Sequence, residues 1–415
     1  MSIFQILALL ITLTALFSYL NHHYFRLPRT IGVMLVSLLF SAGLMILGKM
    51  GWAIEMEAKT MLNRFDFDQV LLQGMLCFML FAGALHIDLG ELSLQKGAIA
   101  VFSTAGVILS TFMVGGGLYY FFPLVGLGLP LSFCFLFGAL ISPTDPIAVI
   151  GILKSAAVPK SLEIKVAGES LFNDGIGVVV YLAVLEFIRN SGEFSWARLG
   201  ELLLVEAVGG GLLGLFLGWI AYVMLKRTDQ YQVEILITLA LAMGGYSLAG
   251  ALHMSGPIAI VVAGLLIGNH GRAFAMSDKT REHLDDFWEL IDEILNAVLF
   301  VLIGLEVLVL SLTTQFMVAG AVSIPLVLLA RWVSVLIPVV LMHPWREFTP
   351  GTISIMTWGG LRGGISVALA LSLPGTMQGR DLILTITYMV VIWSILVQGT
   401  TVSYLVSRLA PRPIG

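Results

Sequence analysis

The sequence predicts an all-helical protein that crosses a membrane many times, and three observations carry that prediction. The chain of 415 residues is 58% hydrophobic and only 12% charged, whereas a soluble domain is about 45–50% apolar and ~25% charged. Apolar stretches of about 20 residues, each long enough to cross a bilayer core of about 30 Å, recur along the whole length, and the mean hydropathy is +0.97. The 44 glycines exceed the usual ~7% share, and small residues let membrane helices approach closely. A soluble enzyme and a secreted scaffold are excluded by the lack of polar surface. A net charge of −4 gives no basic footprint for nucleic acid.

About thirteen spans are predicted, at 3–20, 31–48, 69–86, 97–122, 130–153, 165–189, 199–225, 233–252, 256–269, 287–310, 316–342, 351–373 and 382–407. The first is too long for a cleavable leader and no Lys or Arg precedes it, so it reads as a retained helix. Cys77 and Cys134 lie inside apolar runs and read as buried thiols. With the N-terminus outside, the 22 basic residues divide into fourteen in inner loops, six in outer loops, and Arg331 and Arg362 within spans. The positive-inside rule therefore places the N-terminus outside and the C-terminus in the cytoplasm. Between Lys279 and Asn296, Leu284, Phe287, Trp288 and Ile291 recur at helical spacing opposite charged residues, an amphipathic lead-in expected to anchor at the interface.

Ionisable side chains at membrane depth are costly, and each is a functional candidate. Glu186, Glu206, Glu234 and Glu306 lie near span ends and are expected to reach water along their stems. Four others cannot do so. In the fifth span, LFGALISPTDPIAVIGIL, Pro143 and Pro146 flank Thr144 and Asp145, so the helix is expected to open there. Unwound backbone survives at this depth only where it lines a cavity or packs in protein. The Thr144 carbonyl is then available to a cation, and Asp145 can neutralise the N-terminal end of a half-helix.

The sixth span opens VAGESLFNDGIGVVVYLAV. Its Glu169, Ser170, Asn173 and Asp174 fall within a ~140° arc of one helix. Ser170 and Asp174 stack one turn apart and offer only oxygens, which suits a hard cation such as Na⁺ or Li⁺. With no thiol or imidazole among them, a zinc site is not expected. A carboxylate taken out of water favours its protonated form, so Asp174 can carry a proton when no metal ion is present. In the twelfth span, Arg362 lies between Gly359, Gly360, Gly363 and Gly364. A permanent cation there needs a carboxylate, either Glu169 or Asp145. Arg331, in the eleventh span, has no assigned role beyond a structural pairing. The fifth and twelfth spans, each interrupted and lying in opposite halves of the chain, mark a transporter built from inverted repeats.

SPTDPIAV at 142–149, GESLFNDG at 168–175, GLRGGISVALAL at 360–371 and FAGALHIDL at 81–89 resemble the cation:proton antiporter superfamily, in its NhaP-like and Na⁺/H⁺ exchanger branch. The resemblance implies a homodimeric NhaA-type fold of about thirteen helices with two broken, crossing helices, in a prokaryotic plasma membrane. Dimer-side helices are expected in 1–96, core transport helices in 97–190, linker and dimer-side helices in 191–311, and core transport helices again in 312–415. It implies that Asp174 binds proton or cation, with Ser170 and the Thr144 carbonyl as further Na⁺ ligands. Asn173 stands where electrogenic relatives carry a second Asp, which implies electroneutral one-for-one exchange. Glu169 and Arg362 resemble the family's buried ion pair, and Asp145 the charge at the helix crossing. Ala82 stands near a position that is acidic in some relatives and cannot supply a ligand.

The expected function is secondary antiport of Na⁺ or Li⁺ against H⁺, with K⁺/H⁺ exchange as the alternative. No cofactor and no enzymatic reaction are implied. An intramembrane aspartyl protease is argued against by Arg362 and by the lack of a GxGD motif. A channel remains the other class, since broken helices also build filters.

Overall fold

Inside a membrane every backbone polar group needs a partner within the chain, and helices satisfy this segment by segment. The computed structural model describes residues 3–51, 54–62, 70–156, 158–190, 200 and 203–409, and over these its elements are helices joined by turns and short breaks. The sole β-type pairing among the described residues is a single antiparallel bridge between Asp145 and Leu361. The principal helices are α1 (Ile3–Leu20), α2 (Arg29–Lys49), α3 (Ile54–Leu62), α4 (Leu76–Leu85), α5 (Leu89–Phe121), α6 (Leu131–Ile141), α7 (Ile147–Ser155), α8 (Lys160–Arg189) and α9 (Gly210–Leu225). They continue as α10 (Tyr231–Ala251), α11 (Gly256–Leu266), α12 (Asp278–Glu306), α13 (Thr314–Met342), α14 (Thr352–Trp358), α15 (Gly364–Leu371), α16 (Arg380–Trp393) and α17 (Gly399–Leu409).

Nine helices among the described residues are long and apolar enough to cross a membrane, against the thirteen spans expected. The difference has three physical sources. The fifth and twelfth stretches are each split by a mid-membrane break, into α6 with α7 and α14 with α15. The third is regular only over Leu76–Leu85, after a wider π-type turn at Val70–Met75. The tenth, α12, carries its charged lead-in without interruption. Residue 69 and residues 199, 201 and 202, where two expected spans begin, lie outside the described residues. Proline alone does not break these helices, because α13 runs unbroken through Pro325 and Pro338.

The helices pack in two groups. In one, α5 lies against α6, α8 and α13, and α16 against α13 and α15. In the other, α11 is flanked by α4, α9 and α10, and α12 by α1, α2 and α4. The close approaches need glycine: a side chain at Gly214 of α9 would strike the Ala259 carbonyl of α11. The groups meet where α8 touches α11 and α12 touches α15.

Two expectations change in three dimensions. Leu284 and Trp288 of the amphipathic lead-in are fully buried within the protein. Trp288 packs at 4.6 Å against the Phe81 ring in a tilted arrangement and donates through Nε1 to Thr238 Oγ1 at 3.0 Å. Leu284 and Trp288 therefore pack inside the protein, while Phe287 and Ile291 of the same face are half-buried. Nor do Glu234 and Glu306 reach water, being 0% and 8% exposed, because neighbouring helices cover the span ends that sequence position leaves open.

Candidate functional site

The centre of the molecule is built from two interruptions that meet. Helix α6 stops at Ile141 and α7 starts at Ile147, with Pro143 and Pro146 unable to donate the intervening hydrogen bonds. Helix α14 ends at Trp358 and α15 starts at Gly364, and between them Gly359, Gly360 and Gly363 tolerate an open backbone. The strands of chain between these half-helices cross, and Asp145 N donates to the Leu361 carbonyl at 2.8 Å. Asp145 is thereby held beside Gly363, at the N-terminal ends of both α7 and α15, where the helix dipoles favour a negative charge. The approach is tight: a Cβ at Gly363 would lie 2.6 Å from the Asp145 Cβ and 2.6 Å from its Oδ2. Gly363→Ala is accordingly expected to force the two breaks apart and remove transport. Wild-type flux from that variant in proteoliposomes would show that the contact is dispensable.

The two C-terminal half-helix ends, which carry the opposite dipole, are each met by a buried arginine. Arg362 Nη1 donates to the Ser142 carbonyl at 2.5 Å and the Pro143 carbonyl at 3.0 Å, at the end of α6. Arg331, from α13, donates to the Met356 carbonyl in the last turn of α14, through Nε at 3.2 Å and Nη2 at 3.0 Å. A cation near a helix C-terminus is stabilising, and here each also fills carbonyls that the break leaves over.

The buried ion pair differs from the one expected. Glu169, 1% exposed, is paired with Arg331 and not with Arg362. The pairing is two-pronged, with Arg331 Nη1 on Oε1 and Nη2 on Oε2 at 2.7 Å. Two buried arginines compete for one carboxylate. Helix packing decides between them, since α5 aligns α8 with α13 while Arg362 is engaged at the crossing.

The remaining expected residues converge on α8 and the first break. The Asn173 amide brackets Thr144: its Oδ1 accepts from Thr144 N at 3.3 Å and its Nδ2 donates to Thr144 Oγ1 at 2.8 Å. Thr144 Oγ1 and Ser170 Oγ lie 3.0 Å apart. Thr144, Ser170 and Asn173 are all at most 2% exposed. Thr144 thus enters this network through its hydroxyl and amide. Asp174, next on the helix and 9% exposed, receives no hydrogen bond from any described residue. Its neighbour Gly175 faces Ile258 of α11, the Cβ position lying 3.0 Å from Ile258 Cγ1. Asp174 therefore stands at the seam between the two helix groups. Ala82, buried in α4, offers no side-chain ligand.

Two supporting residues escape a reading of the sequence. Ser394 Oγ accepts from Arg362 N at 3.0 Å and donates to Gln398 Oε1 at 2.6 Å. Gln398 Nε2 in turn donates to the Trp358 carbonyl at 3.0 Å. A wider π-type turn over Ser394–Gln398 presents both side chains to the second break. Their signal in the sequence is slight: two polar residues four apart in an otherwise apolar run.

Residues 10–408 match the family model described as the transmembrane sodium/hydrogen exchanger. The chain belongs to the sodium/hydrogen exchanger family. It is 49% identical over 416 residues to the Na⁺/H⁺ antiporter NhaP of Pseudomonas aeruginosa, covering 99% of this chain and 98% of that one. It is 34% identical to the Na⁺/H⁺ antiporter NhaH of Halobacillus dabanensis, over 92% of each chain. Among solved structures, the sodium proton antiporter MjNhaP1 of Methanocaldococcus jannaschii superposes with a TM-score of 0.76 over 99% of both chains, at 19% identity. That similarity establishes a shared fold. The sodium/hydrogen exchangers are transporters, and this member is a multi-pass membrane protein.

Proposed function

We propose that the protein exchanges Na⁺, or Li⁺, for H⁺ across a bacterial cell membrane, one for one and without net charge movement. The observation that carries this reading is the cluster in which Ser170 Oγ and the Asn173 amide meet the Thr144 hydroxyl, with Asp174 one helical turn after Ser170 on α8 and the neutral Asn173 before it. An all-oxygen donor set suits a hard cation, and a lone carboxylate releases one proton for each cation it takes. Loaded with either ion, the site carries the same charge. The high identity to Na⁺/H⁺ antiporters over nearly the whole chain supports sodium as the cation, and the names of these relatives lend no support to K⁺/H⁺ exchange.

The proposed architecture is an NhaA-type fold of thirteen spans, counting the two split stretches, α4 and α12 as crossing. The group around α5, α8 and α13 would be the moving core and the group around α11 and α12 the dimer side, within a homodimer. The closer packing of helices within each group than between them, and the facing of Gly175, beside Asp174, onto Ile258 of the other group, support this division. The positive-inside count favours the N-terminus outside.

The test is proton movement by purified protein in proteoliposomes on addition of Na⁺, Li⁺ or K⁺, with the potential clamped at zero and at about −100 mV. One transported charge is worth ~2.3 kcal/mol at the latter voltage, so an electroneutral exchanger gives the same end-point at both. A strong voltage shift would mean that a second charge travels and that Asn173 does not secure electroneutrality. Protons and cation compete for Asp174, so low pH excludes the cation and high pH starves the return step. Exchange is expected to pass through a maximum in pH, with apparent cation affinity improving as pH rises. Saturable flux coupled to proton movement distinguishes a carrier from a channel.

A further inference from the structure

Lys165 lies in the first turns of α8, four residues before Glu169, and is 3% exposed. Its ammonium rests over the ring of Phe348 at 4.9 Å, and that ring meets Phe102 edge-on at 6.3 Å. Phe348 lies two residues after Arg346, so the loop after α13 that covers Lys165 also carries a second cation. Arg346 Nη1 donates to the Leu94 carbonyl at 3.3 Å, and its Nη2 would be 3.1 Å from a Cβ at Gly97. Among the described residues, no carboxylate pairs with either cation. A buried charge left in this state is costly unless an ion of opposite sign joins it, and a second cation alongside adds to the cost.

The surroundings indicate where that anion comes from. Leu94, whose carbonyl accepts from Arg346, Trp345, next to Arg346 in the chain, and Leu341, at the end of α13, are 67%, 81% and 63% exposed, apolar side chains on the outside of a membrane protein. Tryptophan at a span end sits at headgroup level. The starts of α5 and α8 and the end of α13 bring these residues to one membrane face, which the positive-inside count assigns to the cytoplasm.

We propose that Lys165 and Arg346 bind the phosphate of an anionic phospholipid headgroup from the inner leaflet, with Leu94, Leu341 and Trp345 against its acyl chains. A phosphate oxygen accepts short, charge-assisted hydrogen bonds from both cations, which the Phe348 ring, attracting the Lys165 ammonium through its π face alone, does not supply. The lipid ties the helix group carrying Asp174 to the leaflet, one helical turn from Glu169.

The test is lipid binding to the full chain in detergent, read by native mass spectrometry and by thermal shift, with phosphatidylglycerol as probe. Phosphatidylcholine, inorganic phosphate and glycerol 1-phosphate serve as comparisons. The parent is expected to retain phosphatidylglycerol in preference to phosphatidylcholine and to be stabilised by it. Arg346→Gln and Lys165→Gln are each expected to weaken retention by about tenfold or more, the scale of losing a hydrogen bond to a charged group. Lys226→Gln, in a different loop of the same face, is expected to bind as the parent does. Arg346→Gln changes a loop residue, so the test stands even if Lys165→Gln fails to fold. Equal retention by parent and Arg346→Gln overturns the proposal, as does no preference over phosphatidylcholine. Displacement of the lipid by inorganic phosphate or glycerol 1-phosphate at comparable concentration also overturns it, since the site would then be one for free anions.

Discussion

Replacing Asp174 by asparagine is expected to reduce cation-driven proton flux to that of empty liposomes while the protein stays folded. The two halves of this expectation have separate causes. Loss of flux follows because Asp174, one turn after Ser170 on α8, is the carboxylate left to exchange a proton for a cation, Glu169 being committed to Arg331 and Asp145 held at the crossing of the two breaks. Retention of the fold follows because no described residue donates a hydrogen bond to the Asp174 carboxylate, so asparagine orphans no partner, and a buried ionisable group becomes neutral. The measurement is acidification-driven dye quenching with Na⁺ and Li⁺, alongside a melting curve in detergent. Substantial exchange by the variant would place the shared carboxylate elsewhere. A collapsed melting temperature would make Asp174 structural.

Arg331→Ala is expected to be the most damaging single change to stability at the centre of the molecule. It strands the Glu169 carboxylate, 1% exposed, and leaves the Met356 carbonyl without its side-chain donor. Breaking a buried pair from one side costs ~3–5 kcal/mol, largely because the remaining charge is uncompensated. Arg362→Ala strands no carboxylate. It leaves the Ser142 and Pro143 carbonyls without a donor, at about 1–3 kcal/mol for an unsatisfied buried group. The melting temperatures should therefore fall in the order parent, Arg362→Ala, Arg331→Ala. In a double-mutant cycle, Glu169→Gln should recover part of what Arg331→Ala loses. The reverse order of the two arginine variants, with no recovery by Glu169→Gln, would return Glu169 to Arg362.

Much of this arrangement is legible in the chain because membrane depth penalises what it contains. Two prolines around Thr144 and Asp145, or four glycines around Arg362, stand out against apolar surroundings, and both breaks fall where they are expected. Ser170, Asn173 and Asp174 share a helix face by periodicity alone, and the structure brings the first two onto Thr144. The span count is less legible. Length and composition recognise a continuous apolar helix, so they pass over half-helices and the charged α12. Ser394 and Gln398 are ordinary polar residues until a π-type turn aims them at the second break.

By itself the sequence determines that the chain lives in a bilayer, that two of its helices are broken at depth, and which carboxylate and hydroxyls share the sixth stretch. These follow from local causes: transfer cost, proline's missing donor and the 3.6-residue turn. Only the tertiary structure decides that Glu169 belongs to Arg331, that Arg362 caps the end of α6, and that Asp145 meets Leu361 across the crossing. Each of these joins residues far apart in the chain, and two equal charges cannot be told apart by sequence when both can reach one partner. The choice rests on helix packing, which sets which face of α13 turns toward α8 and where the two breaks cross.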